Sequence, residues 1–381
     1  MPGTTHIDLA RIERIEVHRL RVPLVRPYRL AFGDLTAFDT LLVELTDADG
    51  ATGFGEATLL NGYTDESVDG AWMLAQQMAD EWIGCTHDAL RARVNAVAQK
   101  APFTATAFGT ALDMLGRSEG LALSEPARVP LLALLNADDE ATTADEFEKL
   151  LDEGYRTIKV KVGLAGSDDL ARIGRIQAVV AGRARIRIDA NQAFSGPQAA
   201  AFLAALDPQD IELFEQPCHA DDWAAHAMAV RASRVPMMLD ESIYALPDIE
   251  RAAAEGLATY VKVKLVKFAG LELLASAIER IRALGMRPVL GNGVACDPGC
   301  WMEACVAARH IDNAGEMNGY LKVRRPLLAN PPRMDRGDML IAAGEQPVLD
   351  RDALLSQRVG LHVARCAMQV GTSINDRTRQ P

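Results

Sequence analysis

From about residue 130 to residue 322, short apolar runs alternate with amphipathic stretches, and this alternation constrains the fold more than any other feature of the sequence. The runs end about every 24 to 28 residues, which is the spacing expected of strand–helix units. Eight runs follow one another: "VPLLALL", "TIKVKVG", "IRIDAN", "IELFEQP", "PMMLDES", "TYVKVKL", "RPVLGNG" and "IDNAGEMN". Eight parallel strands joined by helices predict an α/β fold, a (β/α)8 TIM-type barrel over residues 129–322. A doubly wound open sheet is the alternative, but no glycine-rich dinucleotide turn follows the first run.

Residues 1–128 carry a different pattern. Two alternating runs precede the stretch "ATGFGEATL", which indicates an antiparallel meander, and three helical patterns follow. This order predicts an N-terminal α+β capping domain. Residues 323–381 begin rich in proline, and we expect them to return to the capping domain before a frayed tail.

Charged residues stand at the ends of the predicted barrel strands. Alternate residues of a strand share a face, so Lys159 and Lys161 of "TIKVKVG" both point into the barrel. The carboxyl ends of barrel strands form the face on which barrel enzymes build their active sites. The polar residues expected to meet there are Lys159, Lys161, Asp189, Asn191, Glu215, Asp240, Glu241, Lys262 and Lys264.

Each of these residues has a simpler explanation when it is taken alone. An acid before a helix often caps that helix, and a lysine near a strand end usually reaches solvent or forms an ordinary ion pair. Capping does not explain acids on three successive strands, so the combination predicts a functional site. Converging carboxylates require a cation between them, and an oxygen-only ligand set favours Mg²⁺. None of the seven histidines stands at a predicted barrel strand end, which argues against zinc.

The charge of the chain limits its partners. The formal net charge is −12, so neither nucleic acid nor an anionic membrane is expected as a partner. The N-terminal residues lack the apolar segment of a secretory signal, no apolar run is long enough to cross a bilayer, and the six cysteines form no C-x-x-C pair. These features favour a cytoplasmic protein with reduced thiols.

The ordered signatures "KVK", "DAN", "EQP", "DES" and "VKL..FAG" resemble those of the enolase superfamily, in its muconate lactonizing enzyme subgroup, over nearly the whole chain. The strand "RPVLGNG" lacks the catalytic histidine of the mandelate racemase branch. The resemblance implies a Mg²⁺-dependent enzyme that removes the proton alpha to the carboxylate of a small substrate, giving a metal-stabilised enediolate. The expected enzyme is an isomerase, either a racemase or epimerase or a cycloisomerase, and a dehydratase of a hydroxy acid is the alternative. A homo-oligomer is expected by analogy.

The resemblance also implies roles for individual residues. Lys161 and Lys264 would be acid/base groups on opposite faces of the substrate. Lys159 would stabilise the substrate carboxylate and lower the pKa of Lys161. Five residues would surround the metal, the first three as its ligands: Asp189, Glu215, Asp240, Asn191 and Glu241.

Substrate specificity is expected from the eighth strand and from two capping-domain loops. The eighth strand reads "GEMNGYLK", which makes Glu316 and Asn318 candidates for substrate binding. It is closer to the E-x-x-G of cycloisomerases than to the D-x-D of dipeptide epimerases, although the match to the cycloisomerase pattern is partial. In the two loops, Arg29 and Tyr63 are the candidates for contacting the distal end of the substrate.

Three points stay open at the level of sequence. Lys262 stands where the family more often has a neutral amide, which indicates either a more anionic substrate or a shifted register. Lys267 is interpreted as a loop residue. Two other classes of protein remain as alternatives: a Schiff-base lyase that uses Lys161 or Lys264 as its nucleophile, and a non-catalytic barrel.

Overall fold

The structure is a computed structural model that describes residues 11–30, 33–60, 63–137, 139–163 and 168–366. The strands are β1 (Ile12–Leu30), β2 (Gly33–Asp47), β3 (Thr52–Leu59), β4 (Ala127–Pro130), β5 (Ala133–Leu134), β6 (Thr157–Lys161), β7 (Arg185–Asp189), β8 (Ile211–Glu215), β9 (Met237–Leu239), β10 (Tyr260–Val263), β11 (Arg287–Leu290), β12 (Arg333–Asp335), β13 (Asp338–Ile341) and β14 (Arg358–Arg365). The helices are α1 (Val68–Trp82), α2 (His87–Val97), α3 (Pro102–Leu115), α4 (Glu140–Asp152), α5 (Asp169–Val180), α6 (Gly196–Ala205), α7 (Trp223–Ala232), α8 (Leu246–Ala254), α9 (Leu271–Ala283), α10 (Asp297–His310) and α11 (Arg351–Gln357).

The N-terminal part is an antiparallel sheet covered by helices. The sheet has the strand order β14-β1-β2-β3, so the last described strand of the chain pairs with the first. Helices α1 to α3 follow the meander, and side-chain caps fix the starts of α1 and α2, where Ser67 and Thr86 accept backbone N–H bonds. The small residues of β3 allow a close approach, because a Cβ at Gly53 would lie 2.3 Å from the backbone nitrogen of Leu115 in α3. This α+β arrangement agrees with the interpretation of the sequence.

Strands β5 to β11 form a parallel sheet in sequential order, with a helix between each pair from β6 onward. The eighth predicted strand is reduced to a short extended segment that closes the barrel. Gly315 donates to the carbonyl of Pro130 at 2.8 Å, and Glu316 donates to the carbonyl of Leu290 at 3.1 Å. Gly291 has φ 132°, and a Cβ there would lie 2.5 Å from the backbone nitrogen of Glu316, so glycine is needed where the segment packs against β11.

The first predicted barrel strand is also shorter than expected. The run "VPLLALL" divides, because β4 leaves the barrel and pairs with β13 in a three-stranded antiparallel sheet, while only β5 pairs with β6. The barrel is therefore regular over β6 to β11 and irregular where the chain enters and closes it.

Apolar side chains fill the barrel beneath its carboxyl ends. Leu213, Met238, Tyr260 and Val289 form one interior cluster, and larger clusters pack the strands against the surrounding helices. This interior cluster lies below the charged strand ends. Within the part of the chain that the structure describes, no helix has the length and apolar character required to cross a membrane.

Candidate active site

The strand register brings the predicted acids and lysines to one level of the barrel. Lys161 is the register neighbour of Asp189, and Asp189 is the register neighbour of Glu215. Asp240 follows directly after β9, and Lys264 follows directly after β10. The structure thus gathers the strand-end residues around a single cavity, whose lining includes Lys159, Lys161, Asp189, Asn191, Asp240, Glu241, Lys262, Lys264 and Glu316.

Lys159 lies at the centre of the carboxylates. It is 3% exposed, and its Nζ lies 2.8 Å from both Asp189 Oδ2 and Glu215 Oε2 and 3.1 Å from Glu316 Oε2. Burial lowers the pKa of Lys159, but the attraction of the three carboxylates outweighs burial and holds the pKa well above its ordinary value. Lys159 is therefore a permanent cation in the floor of the site.

Lys161 lies nearer the cavity and is better exposed. Its Nζ is 3.4 Å from Asp189 Oδ2 and donates a hydrogen bond to Asn191 Oδ1. Burial acts to lower the pKa of Lys161, and Lys159 acts in the same direction, but the attraction of Asp189 prevails, so the pKa is raised. Lys159 therefore acts in the direction expected from the sequence, but Asp189 decides the net shift.

Asp240 organises the opposite side of the cavity. Its Oδ2 lies 2.7 Å from Lys264 Nζ, and its Oδ1 lies 3.0 Å from Lys267 Nζ. Burial raises the pKa of Asp240, but Lys264 and Lys267 outweigh burial and hold it well below its ordinary value. Tyr63, from the N-terminal domain, donates to Asp240 Oδ2 at 3.2 Å and also hydrogen-bonds Lys264.

Lys262 and Glu316 form a buried pair on the inner wall. Lys262 is 2% exposed, its Nζ lies 3.1 Å from Glu215 Oε1, and it donates a hydrogen bond to Glu316. Its side chain points inward, so the register on the sixth strand needs no shift. Asn318 donates to the carbonyl of Leu132 at 3.2 Å and holds the closing segment against the first barrel strand.

Two sharp turns after the strands aim polar side chains back at the site. Asn191 and Gln192 have φ values of 40° and 68°, and Gln216 has φ 40°. Such left-handed conformations cost non-glycine residues roughly 1–3 kcal/mol each and concentrate at functional sites. The first turn lets Asn191 accept from Lys161 and donate to Glu241 Oε1 at 2.9 Å.

The structure reveals contributions that sequence reasoning missed. Lys267 is a buried residue of the site rather than a loop residue, since its Nζ donates to the carbonyls of Asp240 and Ile243 at 2.6 and 2.9 Å. Gln216 accepts from the backbone amide of Asp240 at 2.8 Å and donates to Ser242 Oγ at 2.7 Å, so it ties two strand ends together. The motif "EQP" was the available signal for Gln216. The side chain of Arg29, the other loop candidate, lies outside the described residues.

The donor set is compatible with a divalent cation that prefers oxygen. Asp189 Oδ2 and Glu215 Oε2 are buried and share Lys159 Nζ as an ion-pair partner at 2.8 Å, whereas the buried Glu241 Oε2 accepts no hydrogen bond within the described part of the chain. One ammonium shared among carboxylates from several strands leaves lone pairs free on their oxygens, and a hard cation prefers such oxygen ligands. Burial and the charge of Asp189 raise the pKa of Glu215, and burial and Asp240 raise the pKa of Glu241 to about 7. In both cases burial is the larger cause, and the neighbouring carboxylate adds to it.

A parallel barrel whose strand ends present buried carboxylates and lysines to a cavity roofed by a second domain defines an enzyme with its active site at the barrel mouth. The family model described as "Enolase C-terminal domain-like" matches residues 142–347, more than half of the chain. The chain belongs to the enolase superfamily. The relatives described next are isomerases.

Three relatives illustrate the range of these isomerases. The chain is 30% identical to a hydrophobic dipeptide epimerase of Citrifermentans bemidjiense, over 71% of this chain and 78% of the relative. It is 28% identical to muconate cycloisomerase 1 of Rhodococcus opacus, over 87% of this chain and 94% of the relative. It is 24% identical to the N-succinyl-L-Arg/Lys racemase of Bacillus cereus, over 83% of this chain and 89% of the relative.

Solved structures share the whole architecture. The muconate lactonizing enzyme of Pseudomonas fluorescens, complexed with muconolactone, superposes with a TM-score of 0.81 at 27% identity, covering 92% of this chain and 100% of that one. The dipeptide epimerase of Cytophaga hutchinsonii, complexed with Mg and the dipeptide D-Ala-L-Val, superposes with a TM-score of 0.82 at 23% identity. The superposition covers 93% of this chain and 99% of that one. The second likeness supports the fold, including the barrel and its capping domain.

Proposed function

We propose that this enzyme interconverts isomers of a small carboxylate by Mg²⁺-dependent removal and return of the proton on the carbon next to that carboxylate. The observation that carries the proposal is the placement of Lys161 and Lys264 in one cavity, on strands four positions apart in the barrel order. Strands half a barrel apart face each other, so a substrate between them presents opposite faces to the two amines.

Asp189, Glu215 and Asp240 would hold the metal, with Asn191 and Glu241 beside them. Their oxygen-only donors and the unpartnered, buried Glu241 Oε2 support this assignment. When bound, Mg²⁺ supplies positive charge that stabilises the negative charge developing on the substrate carboxylate during proton removal.

The two lysines would carry the proton. In one direction the neutral amine of Lys161 accepts the substrate proton at Nζ, and the ammonium of Lys264 donates a proton from its Nζ to the other face. In the opposite direction the two groups exchange roles. Asn191 orients Lys161, and Tyr63 together with Asp240 orients Lys264. Lys159, held by three carboxylates, contributes a fixed positive charge near the substrate carboxylate.

The N-terminal domain would exclude water from this chemistry. Tyr28, Leu60 and Tyr63 line the cavity from above, and Phe103 contributes from the start of α3. An apolar roof over charged groups strengthens their interaction with the substrate because it lowers the local dielectric.

The test is exchange of the α-proton in deuterated water, followed by NMR and mass spectrometry, with and without Mg²⁺. The panel contains dipeptides, N-acyl amino acids and muconates, and the matched control is the double variant Lys161→Ala with Lys264→Ala. The proposal expects metal-dependent exchange of at least one compound by the wild type and none by the double variant. Full activity in the presence of a chelator would contradict the metal assignment. An irreversible adduct after borohydride treatment with a carbonyl compound would favour Schiff-base chemistry instead.

A further inference from the structure

Glu303 is a buried carboxylate that the proposed chemistry does not use. It lies in the middle of α10 and is 1% exposed. Its Oε1 accepts a hydrogen bond from the backbone amide of Leu265 at 2.8 Å, and its Oε2 accepts one from the backbone amide of Asn292 at 3.1 Å. Each oxygen therefore holds one amide, and the two amides belong to different loops at the barrel mouth.

The two amides stand at equivalent places, two residues beyond the ends of adjacent strands. Strand β10 ends at Val263 and β11 ends at Leu290, and these two residues are register neighbours. Gly291 still donates to the carbonyl of Val263 at 3.2 Å. Beyond that bond, the carboxylate of Glu303 continues the connection between the two stretches of chain, because it accepts one amide from each.

Both loops carry residues of the active site. Lys264 immediately precedes Leu265, and both Lys264 and Asn292 line the cavity. The Leu265 peptide is also held by the N-terminal domain, since Thr106 of α3 donates to its carbonyl at 3.3 Å. The backbone next to Lys264 is therefore fixed from α10 and from α3, whereas Lys161 stands on β6, four strands away in the barrel order.

A carboxylate suits this bridge better than a neutral side chain. Burial raises the pKa of Glu303 to about 7, while the two amides and the charges of Lys264 and Lys262 act in the opposite direction. A carboxylate offers an acceptor oxygen to each amide, whereas a primary amide has one acceptor oxygen and places N–H donors at the other position. Since a donor cannot bond a backbone N–H, glutamine at this position would satisfy only one of the two loops.

We propose that Glu303 is a positioning residue, which holds the loops of Leu265 and Asn292 and thereby sets the place of Lys264 at one face of the substrate. Glu303 is not among the described residues that line the cavity, so it acts through these loops and not by touching the substrate. Its effect on proton transfer rests on the proposed function, whereas the bridge between the loops does not depend on that function.

Asp297 provides a matched control in the same helix. It is fully buried, and its Oδ1 and Oδ2 accept from the backbone amides of Leu327 and Leu328 at 2.8 and 2.6 Å. Glu303→Gln and Asp297→Asn therefore each remove one acceptor from a buried two-amide bridge in α10. The bridges differ in what they hold, since Leu327 and Leu328 belong to the C-terminal segment and do not line the cavity.

The first measurement is backbone amide hydrogen exchange, followed by mass spectrometry in the presence of Mg²⁺. At about pH 8.5 the wild-type Glu303 is ionised. We expect Glu303→Gln to speed exchange about ten-fold or more in peptides that contain Leu265 or Asn292, because a hydrogen bond to a charged group is lost. Asp297→Asn should speed exchange only around Leu327 and Leu328. Unchanged exchange at Leu265 and Asn292 in Glu303→Gln would contradict the bridge.

The second measurement is α-proton exchange in deuterated water with each enantiomer of a panel compound that can racemise. We expect Glu303→Gln to lower kcat about ten-fold on the face served by Lys264 and little on the face served by Lys161. Asp297→Asn should leave both faces unchanged. Equal losses on the two faces, or no loss on either, would overturn the positioning role, since a general loosening of the barrel does not distinguish the faces.

A third measurement needs no substrate and separates the two proposals. Reductive methylation with formaldehyde and cyanoborohydride, quantified by mass spectrometry, reports how accessible each lysine amine is. Lys264 should be methylated at least about two-fold faster relative to Lys161 in Glu303→Gln, but not in Asp297→Asn. This result, with no α-proton exchange of any panel compound by the wild type, contradicts only the proposed chemistry. An unchanged ratio of Lys264 to Lys161 methylation, with normal α-proton exchange on both faces, contradicts only the positioning role.

Discussion

Glu56 Oε1, on the last strand of the N-terminal meander, accepts a hydrogen bond 2.8 Å from the backbone amide of Cys296, which begins barrel helix α10. The same oxygen accepts from Gly299 at 3.2 Å. The N-cap residue of helix α10 makes no side-chain cap hydrogen bond. Glu56 of the N-terminal domain therefore acts as the cap of this helix. Asp113 does the same for α9, since its Oδ2 accepts from Leu271 at 2.8 Å. Two capped barrel helices thus fix the N-terminal domain over the active site.

This contact predicts a pH-dependent stability. Burial raises the pKa of Glu56 from 4.5 to about 8, with a further contribution from Asp297. Between those values the folded chain holds a proton that the unfolded chain releases, so Glu56 makes stability fall as pH rises from about 4.5 to about 8. Glu56→Gln keeps an acceptor oxygen but cannot ionise. We expect it to be more stable than the wild type by about 2 kcal/mol at pH 7.5 and by much less at pH 5, in urea denaturation.

The control for this experiment is Glu153→Gln, at an exposed carboxylate near the end of α4. It should change stability little and equally at both pH values. A Glu56→Gln effect that is the same at pH 5 and pH 7.5 would show that Glu56 is ionised throughout this range in the folded chain.

Metal binding should depend on Glu215. Glu215→Gln replaces one of the three proposed charged ligands by a neutral amide of the same shape, so we expect the Kd for Mg²⁺ to rise by about ten-fold or more in calorimetry. Circular dichroism should show an unchanged fold, and Glu153→Gln should bind Mg²⁺ as the wild type does. Unchanged Mg²⁺ affinity in Glu215→Gln would remove this residue from the ligand set.

Each lysine should serve one face of the substrate. For a substrate that can racemise, Lys161→Ala should lose α-proton exchange with one enantiomer and Lys264→Ala with the other, each by about 10²-fold or more. NMR of the two enantiomers in deuterated water separates the faces. If both faces depend on Lys161 alone, a one-base cycloisomerase or dehydratase becomes the better interpretation.

Tyr63 should act through Lys264. Its hydroxyl hydrogen-bonds Lys264 and Asp240, and Lys264 Nζ lies 4.4 Å from the centre of its ring. Tyr63→Phe keeps the ring but loses the hydroxyl. We expect about a ten-fold loss in kcat for the face served by Lys264 and little change on the other face, whereas a purely structural role would lower both faces equally. Tyr155→Phe, at a partly buried tyrosine outside the cavity lining, is the control.

The assembly remains a prediction. Strand β14 is the outermost strand of its sheet, and Val359 and Leu361 are 61% and 42% exposed on it. Exposed apolar edge strands favour pairing between chains, so we expect a closed homo-oligomer. Light scattering should give a mass that is a multiple of 41.2 kDa, and Val359→Lys should shift it toward the monomer. A monomer at working concentration would contradict this expectation.

The sequence by itself determined the barrel and which charged residues stand at the carboxyl ends of its strands. Strand alternation has a period of two, and parallel strands end at one edge, so Lys161, Asp189 and Glu215 could be assigned to one level before any contact was known. The register in the structure confirms that level. Lys262 could also be placed inward by the same rule, although its ion pairs with Glu215 and Glu316 could not be predicted.

Only the tertiary structure decided which distant groups meet. Tyr63 and Lys264 are separated by 201 residues, and Glu56 and Cys296 by 240, so no local pattern relates them. Lys267 looked like a loop residue because the 3-10 turn that buries it has no periodicity to detect. The pKa of Lys161 likewise depends on Asp189 of the neighbouring strand, whose Oδ2 lies 3.4 Å from Lys161 Nζ. Periodicity along the chain fixes which face a side chain occupies, whereas electrostatics and long-range hydrogen bonds depend on distances that only the packed fold sets.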